Sequence, residues 1–130
     1  MSRSRPIPTT PADTPPITEA EWQEQVVQLA AMLGWRTMHV RRAIGRRAGG
    51  RGWQTSTSVN GWPDLTLWSE RQGRLVFAEL KSDAGRCTPE QDAVISSLRH
   101  AGQDVHVWRP RDLDAVAAVL RGDDPARASA

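Results

Sequence analysis

Two acidic residues and one lysine stand where the sequence otherwise predicts buried β-strands. Asp64 follows Pro63 at the start of a short apolar run, and Glu79 and Lys81 end a second run that is apolar throughout. Residues two apart on a strand point to the same side, so Glu79 and Lys81 share a face with Phe77. A buried carboxylate or ammonium costs several kcal/mol unless it is paired or binds a ligand. The residues therefore form either a plain salt bridge or a site with chemistry.

The two apolar runs predict a β-hairpin, because only a turn-forming stretch, residues 69–73, separates them. Pairing of the runs brings Asp64 near Glu79, where the two carboxylates repel each other unless a cation binds both. A hard cation such as Mg²⁺ or Mn²⁺ takes oxygen ligands from both side chains, from the Leu80 carbonyl, from water and from a substrate phosphate. Lys81 can then orient the attacking water or hold a phosphate oxygen. This spacing favours metal-assisted hydrolysis of a phosphodiester.

The basic residues are almost all arginine, and Lys81 is the only lysine in the chain. A phosphate-binding loop of the GK[ST] kind is excluded, because no glycine directly precedes this lysine. Between Glu24 and Asp64 there is no acidic residue, which makes a local positive field suited to phosphate backbones. A solvated loop, an acidic membrane and an acidic protein are the alternative readings of this field. The residues expected to bind DNA are Arg41, Arg42, Arg46, Arg47, Arg51 and Trp53, the tryptophan by stacking on an unpaired base.

Cysteine and histidine usage excludes several other kinds of site. Cys87 is the only cysteine and cannot form an intrachain disulfide, and no zinc-type spacing links it to a histidine. No serine lies in a GxSxG motif, so a serine nucleophile has no support. The sequence also lacks an apolar run of about 18 residues, the length that a membrane span needs. We expect a cytoplasmic protein that is neither secreted nor membrane-bound.

Capping residues and periodicity predict the elements that must position these side chains. The second apolar run is apolar at both parities, which is typical of a central strand covered on both faces. One domain is expected at residues 17–121, between a disordered proline-rich tail at 1–16 and a disordered tail at 122–130. Its predicted elements are a helix capped by Thr18 and ending at Gly34, a strand at 35–40, a basic glycine-rich loop at 41–61, the hairpin, a helix from Thr88 to Gly102, a strand at 104–108 and a helix at 110–120.

Pro63-Asp64 followed by Glu79-Leu80-Lys81 resembles the signature of the PD-(D/E)XK nucleases. A wider set of residues at matching spacings resembles the VRR-NUC family in its small stand-alone form, over about residues 18 to 120 of the chain. This set comprises Glu19, Trp22, Gln23, Leu33, Gly34, Trp35, Gly61, Pro63, Asp64, Phe77, Ala78, Glu79, Leu80, Lys81, Gly85, Thr88, Gln91, Gly102, Val105, Val107 and Trp108. The resemblance implies an α/β, restriction-endonuclease-like core of order α-β-β-β-α-β(-α), with a central mixed sheet flanked by helices.

The resemblance also implies an activity. Asp64 and Glu79 would bind Mg²⁺ or Mn²⁺, together with the Leu80 carbonyl, and Lys81 would be catalytic. Family members of this size are similar to Holliday junction resolvases, which implies an endonuclease acting as a homodimer on branched or flapped DNA in a bacterial or phage-infected cell. Two alternatives remain: a noncatalytic nucleic-acid-binding accessory protein, and an RNA endonuclease with the same site.

Family members carry a further acid on the first helix and a polar residue on a later one. Helical angles place Glu19 and Gln23 beside the apolar stripe, whereas Glu24 points away and Glu21 serves the helix cap. We expect Glu19 to be a further metal ligand with Gln23 as an auxiliary residue, although Glu19 could merely complement the helix dipole. Gln91 matches the later polar residue and is assigned a catalytic role, against the alternative of a solvent-facing glutamine.

Overall fold

The computed structural model describes residues 15–40, 44–46, 53–55 and 59–124, of which 44–46 and 53–55 are described by backbone alone. Within these ranges the predicted order of elements is confirmed, with two further short strands. The elements are α1 (Glu19–Met32), β1 (Arg36–His39), β2 (Ile44–Arg46), β3 (Trp53–Thr55), β4 (Leu65–Ser69), β5 (Arg74–Leu80), α2 (Pro89–His100), β6 (Val105–Trp108), a 3-10 turn (Pro110–Asp112) and α3 (Leu113–Arg121).

Both long helices begin at the predicted capping residues. The Thr18 hydroxyl accepts from the Glu21 N–H at 3.1 Å, and the Glu21 carboxylate accepts from the Thr18 N–H at 3.1 Å. Thr88 caps α2 in the same reciprocal way, with Gln91 as its partner and Pro89 at the first helical position. Each helix therefore starts at a residue that the sequence specifies locally.

The main sheet has four strands in the order β1-β4-β5-β6. The predicted hairpin is confirmed, because β4 pairs antiparallel with β5 from Leu65 opposite Ala78 to Ser69 opposite Arg74. β1 is antiparallel to β4, and β6 is parallel to β5. Parallel neighbours need a crossover connection, which α2 supplies. The result is a mixed α/β sheet with β5 in an inner position, as its sequence indicates.

The hydrophobic core lies between one face of the sheet and the helices α1 and α3. Alternate residues of β4 and β5 face it, and both helices contribute a stripe of buried side chains. Its members are Trp22, Val26, Ala30, Trp35, Leu65, Leu67, Val76, Ala78, Leu80, Trp108, Val116, Val119 and Leu120. No helix in the described ranges is long and apolar enough to cross a membrane.

The opposite face of β5 is only partly covered, so the expectation of burial on both faces is wrong for its first half. Leu75 is 44% exposed and Phe77 is half-buried, whereas Glu79 is 1% exposed. The difference follows the position of α2, which packs mainly against β6 and contacts the end of β5 through the bond from Gln91 to Glu79. Burial on this face is concentrated at the end of β5 that carries the charged residues.

The predicted basic loop at 41–61 is wrong as a continuous loop. β2 and β3 form a separate two-stranded antiparallel sheet, from Ile44 opposite Thr55 to Arg46 opposite Trp53. Isoleucine, tryptophan and threonine favour strands, and the glycines between the strands form a turn-prone sequence. Arg46 and Trp53 thus lie on strands. Other predicted DNA-binding residues, Arg41, Arg42, Arg47 and Arg51, lie outside the described residues.

The ordered fold extends past the predicted boundary at residue 121. The Asp124 side chain is 10% exposed, and its carboxylate forms an ion pair of 2.6 Å with Arg74 at the start of β5. This contact joins residues 50 apart in the chain and leaves no periodic signal in the sequence. Residues 122–124 therefore belong to the domain, while 1–14 and 125–130, most of the two predicted tails, lie outside the described residues.

Candidate active site

One edge of the main sheet collects the residues that the sequence analysis singled out. β1 ends, β4 begins, and β5 and β6 end at this edge. The Val40 N–H donates to the Asp64 carbonyl at 2.9 Å, and the Lys81 N–H donates to the Trp108 carbonyl at 3.1 Å. The ladder thus fixes the backbone of Asp64 and Lys81 just beyond the regular strands.

Asp64 is oriented by the backbone of β5. Its Oδ2 accepts from the Leu80 N–H at 2.8 Å, a bond that turns the carboxylate toward the end of the neighbouring strand. Leu65 pairs with Ala78, so Asp64 stands opposite Glu79 in the extended register. The structure therefore brings the two predicted acids together.

Glu79 is the most buried charged group of the site, with 1% of its surface exposed. Its Oε2 accepts from Gln91 Nε2 at 2.7 Å and lies 3.2 Å from Lys81 Nζ. Its Oε1 is buried and has no hydrogen-bond partner within the described residues. Burial, the negative charge of Asp64 and a hydrogen bond shared with Asp64 raise the pKa of Glu79, Lys81 lowers it, and the net result is a pKa of about 7.

The orphaned oxygen shows that a divalent cation fits this pair of acids. The salt bridge to Lys81 engages Oε2 of Glu79 and leaves Oε1 to be satisfied by a proton shared with Asp64 or by a cation. A cation between Asp64 and Glu79 would satisfy that oxygen and remove the repulsion between the carboxylates. Carboxylate oxygens are the ligands that Mg²⁺ and Mn²⁺ prefer. The donor set fits these metals, and the salt bridge alone does not account for it.

Lys81 lies between two carboxylates. Its side chain is 12% exposed, and Nζ lies 3.2 Å from Glu79 Oε2 and 3.9 Å from Glu19 Oε1. Glu19 is 55% exposed and contacts the lysine. No three Asp, Glu, His or Cys side chains of the described residues converge as a metal-binding group. Asp64 and Glu79 lie together and Glu19 lies beside Lys81, so the role of Glu19 as a further ligand stays a prediction.

The first helix spans the site from one strand end to another. One turn after Glu19, Gln23 Nε2 lies 2.8 Å from His39 Nδ1 at the end of β1. The Trp22 indole N–H donates to the Trp108 carbonyl at 2.9 Å, and the same carbonyl accepts from the Lys81 N–H. This double use of the Trp108 carbonyl ties α1 to the backbone of the catalytic lysine candidate.

Gln91 is 2% exposed, so the alternative of a solvent-facing glutamine is wrong. Its Nε2 donates to Glu79, and its Oε1 accepts from the Thr88 N–H at 2.8 Å. Sequence reasoning found this residue through the family resemblance but missed that it also completes the α2 cap. Thr88 three residues before a glutamine is the signal that could have indicated it.

Two further residues lie at this edge: Trp62, which the sequence offered beside Trp53 as a tryptophan that could stack on an unpaired base, and His39, which was not predicted as part of the site. The Trp62 ring packs edge-on against Phe77, with centroids 5.8 Å apart, on the face of β5 that carries Glu79. His39 carries no motif, and its place follows only from the register of β1 with β4. Trp62 does have a sequence signal, since it immediately precedes Pro63-Asp64.

Comparisons with known proteins agree with this geometry. A family model described as "VRR-NUC domain" matches residues 16–112, a range that contains Asp64, Glu79, Lys81 and Gln91. A solved structure described as a "VRR_NUC domain" is similar to this chain, with a TM-score of 0.53 and 22% sequence identity over 77% of this chain and 95% of that one. No curated protein matches. At this identity the structural likeness supports the fold, and the family match supports the assignment of the chain.

Proposed function

Because the chain belongs to the VRR-NUC domain family, a nuclease family of the PD-(D/E)XK superfamily, we propose that it is a metal-dependent endonuclease that hydrolyses phosphodiester bonds in DNA. The observation that carries this proposal is the buried Oε1 of Glu79 beside Asp64, which has no hydrogen-bond partner in the part of the chain that the structure describes. Nucleases of the PD-(D/E)XK type generally use divalent metals. The charge pattern of the site is what such a metal requires.

Asp64, Glu79 and the Leu80 carbonyl would hold Mg²⁺ or Mn²⁺. When bound, the cation supplies positive charge at the scissile phosphate and lowers the pKa of the attacking water. The protein contributes the orientation of the ligands. The Leu80 N–H fixes Asp64, and Gln91 fixes Glu79, so the carboxylates need little rearrangement to receive the ion.

Lys81 is the residue we assign to the attacking water or a phosphate oxygen. The Lys81 N–H donates to the Trp108 carbonyl, and its ammonium lies near the carboxylates of Glu79 and Glu19. These contacts restrict movement of the Lys81 side chain away from the site. An ammonium at this place can orient water by donating a hydrogen bond to its oxygen and can stabilise the negative charge that develops on the phosphate oxygens. In the balanced reaction, water forms a new P–O bond, the P–O bond to the leaving oxygen breaks, and a phosphate monoester and an alcohol result.

The arginine-rich stretch between Arg41 and Arg51 is proposed to bind the DNA backbone. Arg46 and Trp53 stand opposite each other in the ladder of β2 and β3. Arginine contacts to phosphate carry no sequence information, which suits an enzyme that recognises the shape of branched or flapped DNA. The proposal includes a homodimer and a cytoplasmic location in a bacterial or phage-infected cell.

A substrate panel tests this function. The purified chain is incubated with flap, fork, four-way-junction, duplex and single-stranded DNA and with RNA, each with Mg²⁺, Mn²⁺ or EDTA. We expect cleavage of branched or flapped DNA that EDTA abolishes. Cleavage of RNA alone would show that the substrate is RNA and not DNA. Binding without cleavage under every metal condition would favour the noncatalytic accessory protein.

A further inference from the structure

Gly61 brings the loop before Asp64 into backbone contact with α2. Its φ is +90°, and a Cβ added there would lie 2.5 Å from the Glu90 carbonyl carbon and oxygen and 2.7 Å from the Gln91 nitrogen. Real side chains do not tolerate such distances to backbone atoms. Gly102 has a similar φ of +84° but has nothing within 4 Å of the same added atom. Gly61 is therefore constrained by a close approach as well as by backbone conformation.

The first turn of α2, where this contact occurs, carries a reciprocal cap of two hydrogen bonds. The Thr88 hydroxyl accepts from the Gln91 N–H at 3.1 Å, and Gln91 Oε1 accepts from the Thr88 N–H at 2.8 Å. Both bonds tie the helix cap to the residue whose backbone Gly61 touches. A displacement of the loop that contains Gly61 would therefore also displace Gln91, because closely packed groups transmit such shifts.

The Gln91 side chain is buried and directed at protein groups. Its amide oxygen accepts from the Thr88 N–H, its amide nitrogen donates to Glu79 Oε2, and the residue is 2% exposed. The amide binds Oε2 of Glu79, whereas Oε1 has no hydrogen-bond partner among the described residues. Gln91 therefore acts on Glu79, which differs from the catalytic role that the family resemblance implies.

These contacts link Gly61, Asp64, Leu80, Glu79 and Gln91 into a ring of neighbouring residues, which we call the circuit, around the two carboxylates. Gly61 precedes Asp64 by three residues, the Asp64 carboxylate is held by the Leu80 N–H, and Leu80 follows Glu79. Glu79 is held by Gln91, whose backbone returns to Gly61. The first turn of α2 is the part of the circuit that joins the loop of one acid to the side chain of the other.

We propose that Gly61 and Gln91 are positioning residues that clamp Asp64 and Glu79 at the separation a divalent cation needs. The inference rests on the proposed function, because it assigns these residues to the metal site of that reaction. Metal affinity would then depend on Gly61, a glycine that contacts neither the ion nor a side chain that binds the ion. Residues that orient metal ligands typically change affinity by about 10- to 100-fold when they are substituted.

Gly61→Ala and Gly102→Ala form a matched pair of variants. Both place a Cβ at a positive φ, and the two glycines flank the opposite ends of α2, but only Gly61→Ala adds a clash with backbone. Gln91→Ala removes the contact to Glu79, and the double variant Gly61→Ala/Gln91→Ala tests whether the two act in series. Thermal unfolding in EDTA, followed by circular dichroism, establishes that each full-length variant is folded.

The measurement is the affinity of the full chain for Mn²⁺ alone, determined by calorimetric titration without DNA. We expect Gly61→Ala and Gln91→Ala each to weaken Mn²⁺ binding by about 10- to 100-fold. Gly102→Ala should stay within about twofold of the wild type, since it touches nothing near the site. The double variant should bind about as weakly as the weaker single variant, because both substitutions break the same circuit.

Two results would overturn the clamp: equal Mn²⁺ affinities of Gly61→Ala and Gly102→Ala, or additive losses in the double variant. If Gly61→Ala is unfolded, Gln91→Ala, which removes the bond to Glu79, is compared with Gly102→Ala, which leaves that bond in place. Weak binding in Gln91→Ala beside wild-type affinity in Gly102→Ala supports the clamp, and equal affinities refute it. A wild-type chain that binds no Mn²⁺ would instead overturn the proposed metal site itself.

Discussion

At the scale of single residues, we expect metal binding to depend most on the carboxyl group of Glu79. This group is buried, faces Asp64, and has one oxygen held by Gln91 and Lys81 and one without a partner among the described residues. Its pKa is raised to about 7, mainly because burial disfavours the charged form. A metal must therefore displace a proton from Glu79 when the pH lies below this value.

The raised pKa predicts that Mn²⁺ affinity increases with pH up to about 7 and then levels off. Below pH 7 each unit of acidification should weaken binding by up to about tenfold, since one proton competes with the ion. Calorimetric titrations between pH 5.5 and 8 check this prediction. An affinity that does not vary over this range would contradict the assignment of Glu79 as a buried ligand.

At the scale of elements, α1 and the ends of the strands form one supporting frame. The Trp108 carbonyl accepts from both Trp22 and Lys81, so the helix and the lysine share an anchor. Trp35 makes an equivalent buried bond at 2.7 Å to the Leu120 carbonyl, away from the site. The two tryptophans allow structural and catalytic contributions to be separated.

Trp22→Phe should lower the cleavage rate severalfold, and Trp35→Phe should leave it unchanged. Each substitution removes one indole hydrogen bond, which contributes about 1 kcal/mol to the free energy of unfolding. Both variants should therefore lose similar stability in urea, while only Trp22→Phe loosens the frame of Lys81. Rate constants measured at saturating metal check the prediction. Equal rates in the two variants would show that α1 does not position the lysine.

At the scale of the whole molecule, β5 carries a charge cluster at each end. Glu79 and Lys81 lie at one end of the strand. At its other end, Arg74 forms ion pairs with Asp104 at 2.8 Å and with Asp124 at 2.6 Å. Arg74 lowers the pKa of Asp124, so this pair stabilises the fold above the ordinary pKa of an aspartate and is lost as the pH falls. The second cluster fastens the end of the described chain to the sheet.

Asp124→Asn should lower the free energy of unfolding by about 1 to 3 kcal/mol at pH 7, because a charged hydrogen-bonded partner of buried Arg74 is lost. Asp123→Asn is the control, since Asp123 is exposed and its ion pair among the described residues is with exposed Arg121. Urea unfolding measures both variants. The difference between Asp124→Asn and the wild type should begin to shrink below about pH 4, where the unfolded chain takes up a proton, and should vanish once the pH falls below the lowered pKa of Asp124 in the folded protein. A persistent difference there would contradict the ion-pair explanation.

Local signals made much of this fold predictable. Capping residues at Thr18 and Thr88 mark the helix starts, and alternation on either side of a short turn gives the hairpin that brings Asp64 to Glu79. Asp124 could not be predicted, because its partner lies 50 residues away and ion pairs have no period. The bond from Gln91 to Glu79 likewise depends on how α2 packs over the sheet, which no local pattern specifies.

The most direct test of metal-dependent cleavage through Glu79 is the rate at which Glu79→Gln cleaves DNA with Mg²⁺ or Mn²⁺. Glutamine keeps the shape of Glu79 but removes the charge that the cation requires. We predict that the wild type cleaves branched or flapped DNA and that Glu79→Gln, folded to the same extent in EDTA, loses at least about 100-fold in rate, as expected when a group essential to metal binding is removed. Cleavage by Glu79→Gln at the wild-type rate, or by the wild type in EDTA, would contradict the account.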